Sequence, residues 1–224
     1  DEKMLLAIAM TAMTGKSAEG EREHLAKLCL EVVEASRPEA VHIMTRTGSP
    51  ISDSFSPNGI VVGRQKIHSA MPETLTHVKI ALIDGGLELE EFGQGVSLNL
   101  GSYNESIEYQ KGRKDALKQM ADHLIGLEAN LVLTTKNIDP WIAEYLARNN
   151  VVAARRCAAS NLEAVARATN GLIVSGYEDL ESEDLGVAGK MEETIQEGQS
   201  PFMLLHDTPN NDAASLIICA PTEE

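Results

Sequence analysis

Residues able to do chemistry are spread thinly along this sequence. Gly15, Lys16 and Ser17 have the ending of a phosphate-binding loop, in which backbone N–H groups cradle phosphates and the lysine reaches the outer ones. That motif needs a glycine where this chain has Met10, and a strand before it where this chain has an apolar helical pattern. The segment therefore reads as a helix stop followed by a cap at Ser17. Gly93 and Gly95 lack a third glycine and open no helix, which makes them a turn rather than a dinucleotide fingerprint. There is no G-x-S-x-G elbow and no H-E-x-x-H, and His24, His42, His68, His77, His123 and His206 never stand four apart. No metal ligand set and no catalytic group emerges from these residues, so a stand-alone small-molecule enzyme lacks its constellation. Arg155 and Arg156 can hold an anion, but neighbours on a strand face opposite ways, and salt bridges to an acidic surface are the expectation. Trp141, the only tryptophan, stands in the first turn of a helix with Tyr145 four residues on, a pair suited to core packing or to an exposed recognition face.

Composition narrows the function classes. With 19 basic against 34 acidic residues the net charge is −15, which repels phosphate backbones and anionic membranes, so neither nucleic acid nor membrane is expected as a partner. Cys29, Cys157 and Cys219 are odd in number and far apart, as reduced thiols in a cytoplasmic protein are. No apolar run approaches the length of a membrane span. The start inside a helical pattern reads as a piece of a longer chain.

The elements that must position these residues centre on 129–175. Leu131–Thr134, Val151–Ala154 and Leu172–Val174 are short aliphatic runs alternating with two helical patterns, the signature of a βαβαβ unit on a parallel sheet. Asp139 caps the first helix with Pro140 at its first position, and Ser160 with Glu163 forms a capping box for the second, which Asn170 and Gly171 close. Upstream, an apolar helix over 4–13 and a second one to Pro38 lead to a strand at 40–45. The loop 47–58 then marks a domain boundary. Strands follow at 59–63 and 78–83, with period-two alternation through Leu87, Leu89 and Phe92 and through Val96, Leu98 and Leu100. Ser102 and Glu105 form a further capping box for a helix from Tyr103 to about Leu127. Its second half has an apolar face in Leu117, Met120, Leu124 and Ile125, whereas 108–115 (EYQKGRKD) offers only Tyr109 and contains Gly112. Two turns with nothing to bury cannot lie on a core, so this half projects into solvent or onto a partner. Beyond the βαβαβ unit, 177–185 is an acidic helix or turn, and strands follow at 186–193, 201–206 and 215–219.

Three segments together resemble the group II chaperonins, archaeal thermosome-like subunits. They are GIVVGRQKIHSAMPETLTHVKIALIDGGLELEE (59–91), MADHLIGLEANLVLTTKNIDPWIAEYLARNNVVAARR (120–156) and SNLEAVARATNGLIVSGYEDLESEDLG (160–186). These look like the family's apical domain, LLAIAMTAMTGKSAEGEREHLAKLCLEVVEA resembles the helical pair of its intermediate domain, and SLIICAPTEE resembles the returning strand.

The resemblance implies an α/β fold: an apical domain of β-sheets flanked by helices, with the βαβαβ unit and a helical protrusion, plus a partial α+β intermediate domain. Its divisions are 1–57 for the first part of the intermediate domain, 58–207 for the apical substrate-binding domain with the protrusion near 100–120, and 208–224 for the return segment. It further implies a chaperone role: binding unfolded protein clients and forming the built-in lid of an ATP-driven double ring of neighbouring chaperonin subunits. Clients would lie along the helix 139–149 through Trp141, Tyr145 and Arg148, and Tyr103, Ile107 and Tyr109 would be lid or client contacts on the protrusion. The nucleotide loop of the family's equatorial domain and the segment with its catalytic aspartate have no counterpart in these residues. No cofactor and no enzyme activity is therefore expected of this stretch, while ATP and Mg belong to the intact parent, an ATPase. APTEE stands where a G-G-T-E type turn is usual, and CAASN replaces a more basic V-K-K-S-D stretch, which removes the contacts of those lysines. The alternative is a chaperonin-like apical module acting as a protein-interaction scaffold within a larger enzyme; sequence beyond either end distinguishes the two.

Overall fold

A computed structural model of the chain describes residues 2–15, 19–36, 40–89, 103–195, 201–210 and 213–221. The chain opens with α1 (Glu2–Ala12), which ends before Gly15 at φ +76°, and α2 (Arg22–Ala35). A short 3-10 turn at Glu19–Glu21 precedes α2 and leaves Glu21 at its N-cap; the expected cap Ser17 lies outside the described residues. The buried Leu28 and Val32 of α2 rest on a small parallel sheet made of β1 (Val41–Thr47) and β9 (Ala214–Ala220), with Val41 opposite Ala214 and Thr47 opposite Ala220. Two strands from opposite ends of the chain thus close on each other. The loop expected over 47–58 is not idle: Phe55 doubles back to pair with Ile217, its N–H and C=O bonded at 3.1 and 2.9 Å.

Between these two strands the chain contributes a seven-stranded mixed sheet. It contains β2 (Ile60–Val62), β3 (Thr74–Ile83), β4 (Leu131–Thr134), β5 (Val152–Ala154), β6 (Ile173–Val174), β7 (Gly186–Thr194) and β8 (Phe202–His206). Their order is β2-β8-β7-β3-β4-β5, with β6 also pairing on β3. The parallel part holds β5, β4, β3 and β6, and β7 and β8 add antiparallel ladders. The expected βαβαβ unit is present as β4, α4 (Pro140–Arg148), β5, α5 (Ala159–Thr169) and β6, but β6 does not sit beside β5. It crosses to the far side of β3. Every residue of β4 and β5 is buried, so both strands are covered on both faces, as buried parallel strands are, and Ile80, Leu82, Leu131 and Leu133 are fully buried.

The cap at Asp139 forms as expected, its side chain accepting from Trp141 N–H at 2.8 Å. The Ser160–Glu163 box does not. Cys157 N–H donates to Thr134 C=O, which fixes the chain as it leaves β5, and α5 starts at Ala159 with Ala158 at the N-cap, where a methyl group can make no capping hydrogen bond. Asn170 closes it at φ +58° as expected. The alternation at Leu87 and Leu89 does not make a strand; a single bridge joins the buried Leu87 to Ile138. The strands and turn expected over 92–100 and the Ser102–Glu105 box lie outside the described residues.

Candidate functional site

The long helix α3 (Tyr103–Gly126) joins β3 to β4 and packs beside α4. Leu117, Met120, Ala121 and Leu124 recur at helical spacing and sink into the core. Over 107–112 every side chain is exposed, including Ile107 at 49% and Tyr109 at 37%. The split read from the sequence is therefore a physical split in the helix: one half anchored, one half without a buried face. Tyr103 opens the helix, and its side chain lies outside the described residues.

Where the anchored half meets α4, the facing side chains build a groove of about 490 Å³ lined by Lys114, Lys118, Trp141, Glu144, Tyr145 and Arg148. Its floor is aromatic. Trp141 and Tyr145, one helical turn apart, stack at 5.0 Å between centroids and 17° between planes. Both are half-buried, touching the core on one side and the groove on the other, so the pair serves packing and display together. Lys114 holds its ammonium 5.9 Å from the Trp141 ring centroid. The walls are polar and internally paired. Lys118 bonds Asp122 at 2.6 Å, Tyr145 Oη donates to the same carboxylate at 2.8 Å, and Arg148 bonds Glu144 at 2.6 Å. The Lys118 hydrogen bond, and then that of Tyr145, hold the Asp122 carboxyl below its usual range, while accepting from Tyr145 pushes that phenol upward. Arg113 faces Asp139 at 3.8 Å and ties α3 to the start of α4.

Of the residues expected to bind clients, Trp141, Tyr145 and Arg148 are brought together in this groove, while Ile107 and Tyr109 stand on the exposed half of α3, further along the same helix. Lys114, Lys118, Asp122 and Glu144 were not anticipated. The i, i+4 spacings Lys118–Asp122 and Glu144–Arg148 are visible in the sequence as ion pairs, but the Tyr145–Asp122 bond joins two helices and leaves no local trace. Arg155 and Arg156 make no salt bridge among the described residues. Arg156 instead donates from Nε to Asn137 Oδ1 at 2.8 Å.

A second crevice, about 740 Å³, opens at the carboxyl ends of β3 and β4, where open α/β sheets take ligands, and is lined by Gly86, Glu88, Leu89, Arg113, Lys136, Asn137, Asp139 and Pro140. Two of its charged groups have structural roles, since Asp139 caps α4 and faces Arg113. Among the described residues no group of three or more His, Cys, Asp or Glu is placed to hold a metal ion, and no helix is long and apolar enough to cross a membrane. The buried Cys157 thiol is pushed up to about 11 by desolvation, which makes it a poor nucleophile.

The model of the TCP-1/cpn60 chaperonin family matches residues 1–224. A thermosome subunit of Pyrococcus horikoshii is 33% identical over 233 residues, covering 100% of this chain and 42% of that protein, and one of Pyrococcus abyssi is 34% identical with the same coverage. The beta subunit of the Sulfolobus acidocaldarius thermosome is 30% identical over 228 residues, covering 97% of this chain and 41% of that protein. Among solved structures, the open-state monomer of a group II chaperonin from Methanococcoides burtonii superposes with a TM-score of 0.80 at 26% identity, covering 100% of this chain and 52% of that one. The chain spans about 42% of the length of the curated relatives it matches.

Proposed function

Because the chain belongs to the TCP-1/cpn60 chaperonin family, whose role is in protein folding, we propose that it is the part of a chaperonin subunit that handles the unfolded client. Clients bind along the groove between α3 and α4, with Trp141 and Tyr145 as rigid aromatic anchors and Arg148 at the rim. Aromatic and arginine side chains in partly desolvated pockets carry much of the binding energy in such contacts. The exposed half of α3, with Tyr103, Ile107 and Tyr109, serves as the lid. In the parent ring, ATP and Mg chemistry outside this stretch turns the segment 58–207 as a unit, bringing the lids together and freeing the client into a closed space. The segments 1–57 and 208–224 form its base, joined through β1 and β9.

The observation that carries this reading is the exposure of Ile107 and Tyr109 on a helix whose other end is fully anchored. Isolated apolar side chains are ordinary on a surface, but Ile107 and Tyr109, two positions apart and so on different sides of α3, are displayed on a half-helix that has no buried face of its own, which suits a segment that meets a partner. The test is aggregation of a chemically unfolded protein diluted into buffer with and without the chain. Light scattering falls with the chain present, and the double variant Trp141→Ala/Tyr145→Ala suppresses it at least about thirtyfold less well, since even one such anchor contributes roughly 2 kcal/mol. No suppression by the unaltered chain refutes the assignment.

A further inference from the structure

The small sheet and α5 meet across a cavity of about 340 Å³, whose lining includes His42, Arg46, Arg64, Ser160 and Asn161. Side chains at every second position of a strand share a face, so His42 and Arg46 stand on the same side of β1. His42 is only 7% exposed, and its Nε2 is buried with no hydrogen-bond partner among the described residues. A buried ring nitrogen left in that state is costly unless something in the cavity bonds to it. Arg46 is buried too, its guanidinium carbon 5.4 Å from the centroid of the Phe202 ring.

The opposite wall is the start of α5. Its N-cap, Ala158, offers no side-chain oxygen, and the N–H groups of Ala159 and Ser160 donate to no protein acceptor among the described residues. Such an end carries partial positive charge. Arg64 is exposed beside it, steadied by its Nε, which donates to Arg156 C=O at 2.8 Å, and forms no ion pair among the described residues. Arg167, further along α5, adds a positive charge near the His42 ring. Among the described residues no Asp or Glu lines the cavity, although the chain carries 34 acidic residues against 19 basic ones.

We propose that this cavity binds a phosphate group, a small tetrahedral oxyanion. Its oxygens accept from the first N–H groups of α5, as anions at helix starts do, from the Arg64 guanidinium and from His42 in the tautomer that carries its proton on Nε2. Arg46 supplies further charge from the buried wall, where it is little screened. The bound anion ties β1 of the small sheet to α5 on the large one. The cavity shares no lining residue with the groove between α3 and α4, so the site stands whether or not clients bind there.

Isothermal titration calorimetry of the chain with inorganic phosphate tests it near neutral pH, at an ionic strength held at about 0.15 M with sodium chloride so that screening stays constant. Saturable binding at a single site is expected, and in a parallel NMR titration the ring signals of His42 move with the same saturation. Arg64→Gln, at an exposed position, weakens the affinity at least about tenfold. Arg155→Gln, which removes a charge outside the cavity lining, leaves it unchanged. Should Arg64→Gln fail to fold by circular dichroism, His42→Phe takes its place, keeping a ring without Nε2, with the same expected loss. Phosphoserine titrated alongside identifies the source: an affinity no lower than that of phosphate assigns the site to phosphate esters, and a lower one assigns it to the free ion. No saturable binding, a saturation that leaves His42 unmoved, or equal losses in Arg64→Gln and Arg155→Gln overturns the proposal.

Discussion

Lys66 lies in the segment between β2 and β3, and its ammonium sits 3.2 Å from Glu193 Oε2 in β7, with side chains only 10% and 2% exposed. Glu193 Oε1 also accepts the Lys66 backbone N–H at 2.9 Å, whereas Oε2 makes no hydrogen bond and has only the ion pair to offset its burial. Changing Lys66→Met keeps the aliphatic bulk and strands that carboxylate. Breaking a buried pair from one side costs about 3–5 kcal/mol, which in a chain of this size lowers Tm by roughly 6–20 °C. The second carboxylate near Lys66, Glu73 at 3.5 Å, is exposed and changes little. Adding Glu193→Gln removes the orphaned charge and keeps an acceptor for the backbone N–H, so the double variant recovers to within about 1 kcal/mol of the unaltered chain. Urea denaturation of the four members of this cycle, followed by circular dichroism, measures both quantities. A single substitution costing less than about 1 kcal/mol, or a double variant no more stable than the single, refutes the reasoning that desolvation governs this pair.

Gly112 faces open space on the exposed half of α3, so Gly112→Ala stabilises the chain by about 0.5–1 kcal/mol, whereas Leu124→Ala in the anchored half costs about 2–5 kcal/mol by denaturation. Burial lowers the pKa of His42, assisted by the charge of Arg167 and opposed by Asn161, so the unfolded chain binds the extra proton first. Stability therefore falls as pH drops below about 6.5, and thermal melts of His42→Gln show a flatter pH dependence in that range. Burial raises the thiol pKa values of all three cysteines, and only Cys29 is partly exposed; peptide mapping after brief iodoacetamide treatment near neutral pH finds it alkylated first, with Cys157 and Cys219 following on unfolding.

The βαβαβ unit was legible because its signals are local: aliphatic runs bounded by Asp139, Pro140 and Asn170, each acting on its own neighbours. The projecting half of α3 was legible for the same reason, since an absent apolar face is a property of consecutive residues. What escaped was set by distant contacts. Ser160 has the right spacing for a cap, but the hydrogen bond from Cys157 to Thr134 starts the helix before it. The crossing of β6 to the far side of β3 depends on which strand edge stays open. The groove wall joins Asp122 to Tyr145 across 23 positions, and sequence spacing carries no record of such a pair. Arg155 and Arg156 were expected to find carboxylates on an acidic chain, and local main-chain geometry turned them outward instead.

Both outer strands of the large sheet are already occupied along their backbones. Ala153, the residue of β5 whose peptide groups face outward, receives Ile67 N–H at 2.9 Å and donates to Met71 Sδ at 3.3 Å. At the other margin Val61 N–H donates to the Ser215 hydroxyl at 3.0 Å. Among the described residues, the outward-facing peptide groups of Ala153 and the N–H of Val61 are thus not open to a strand arriving from solution. In the proposed function, clients are therefore met by side chains on the helical face and not by an added strand, and a held segment lets go without unzipping a row of backbone bonds.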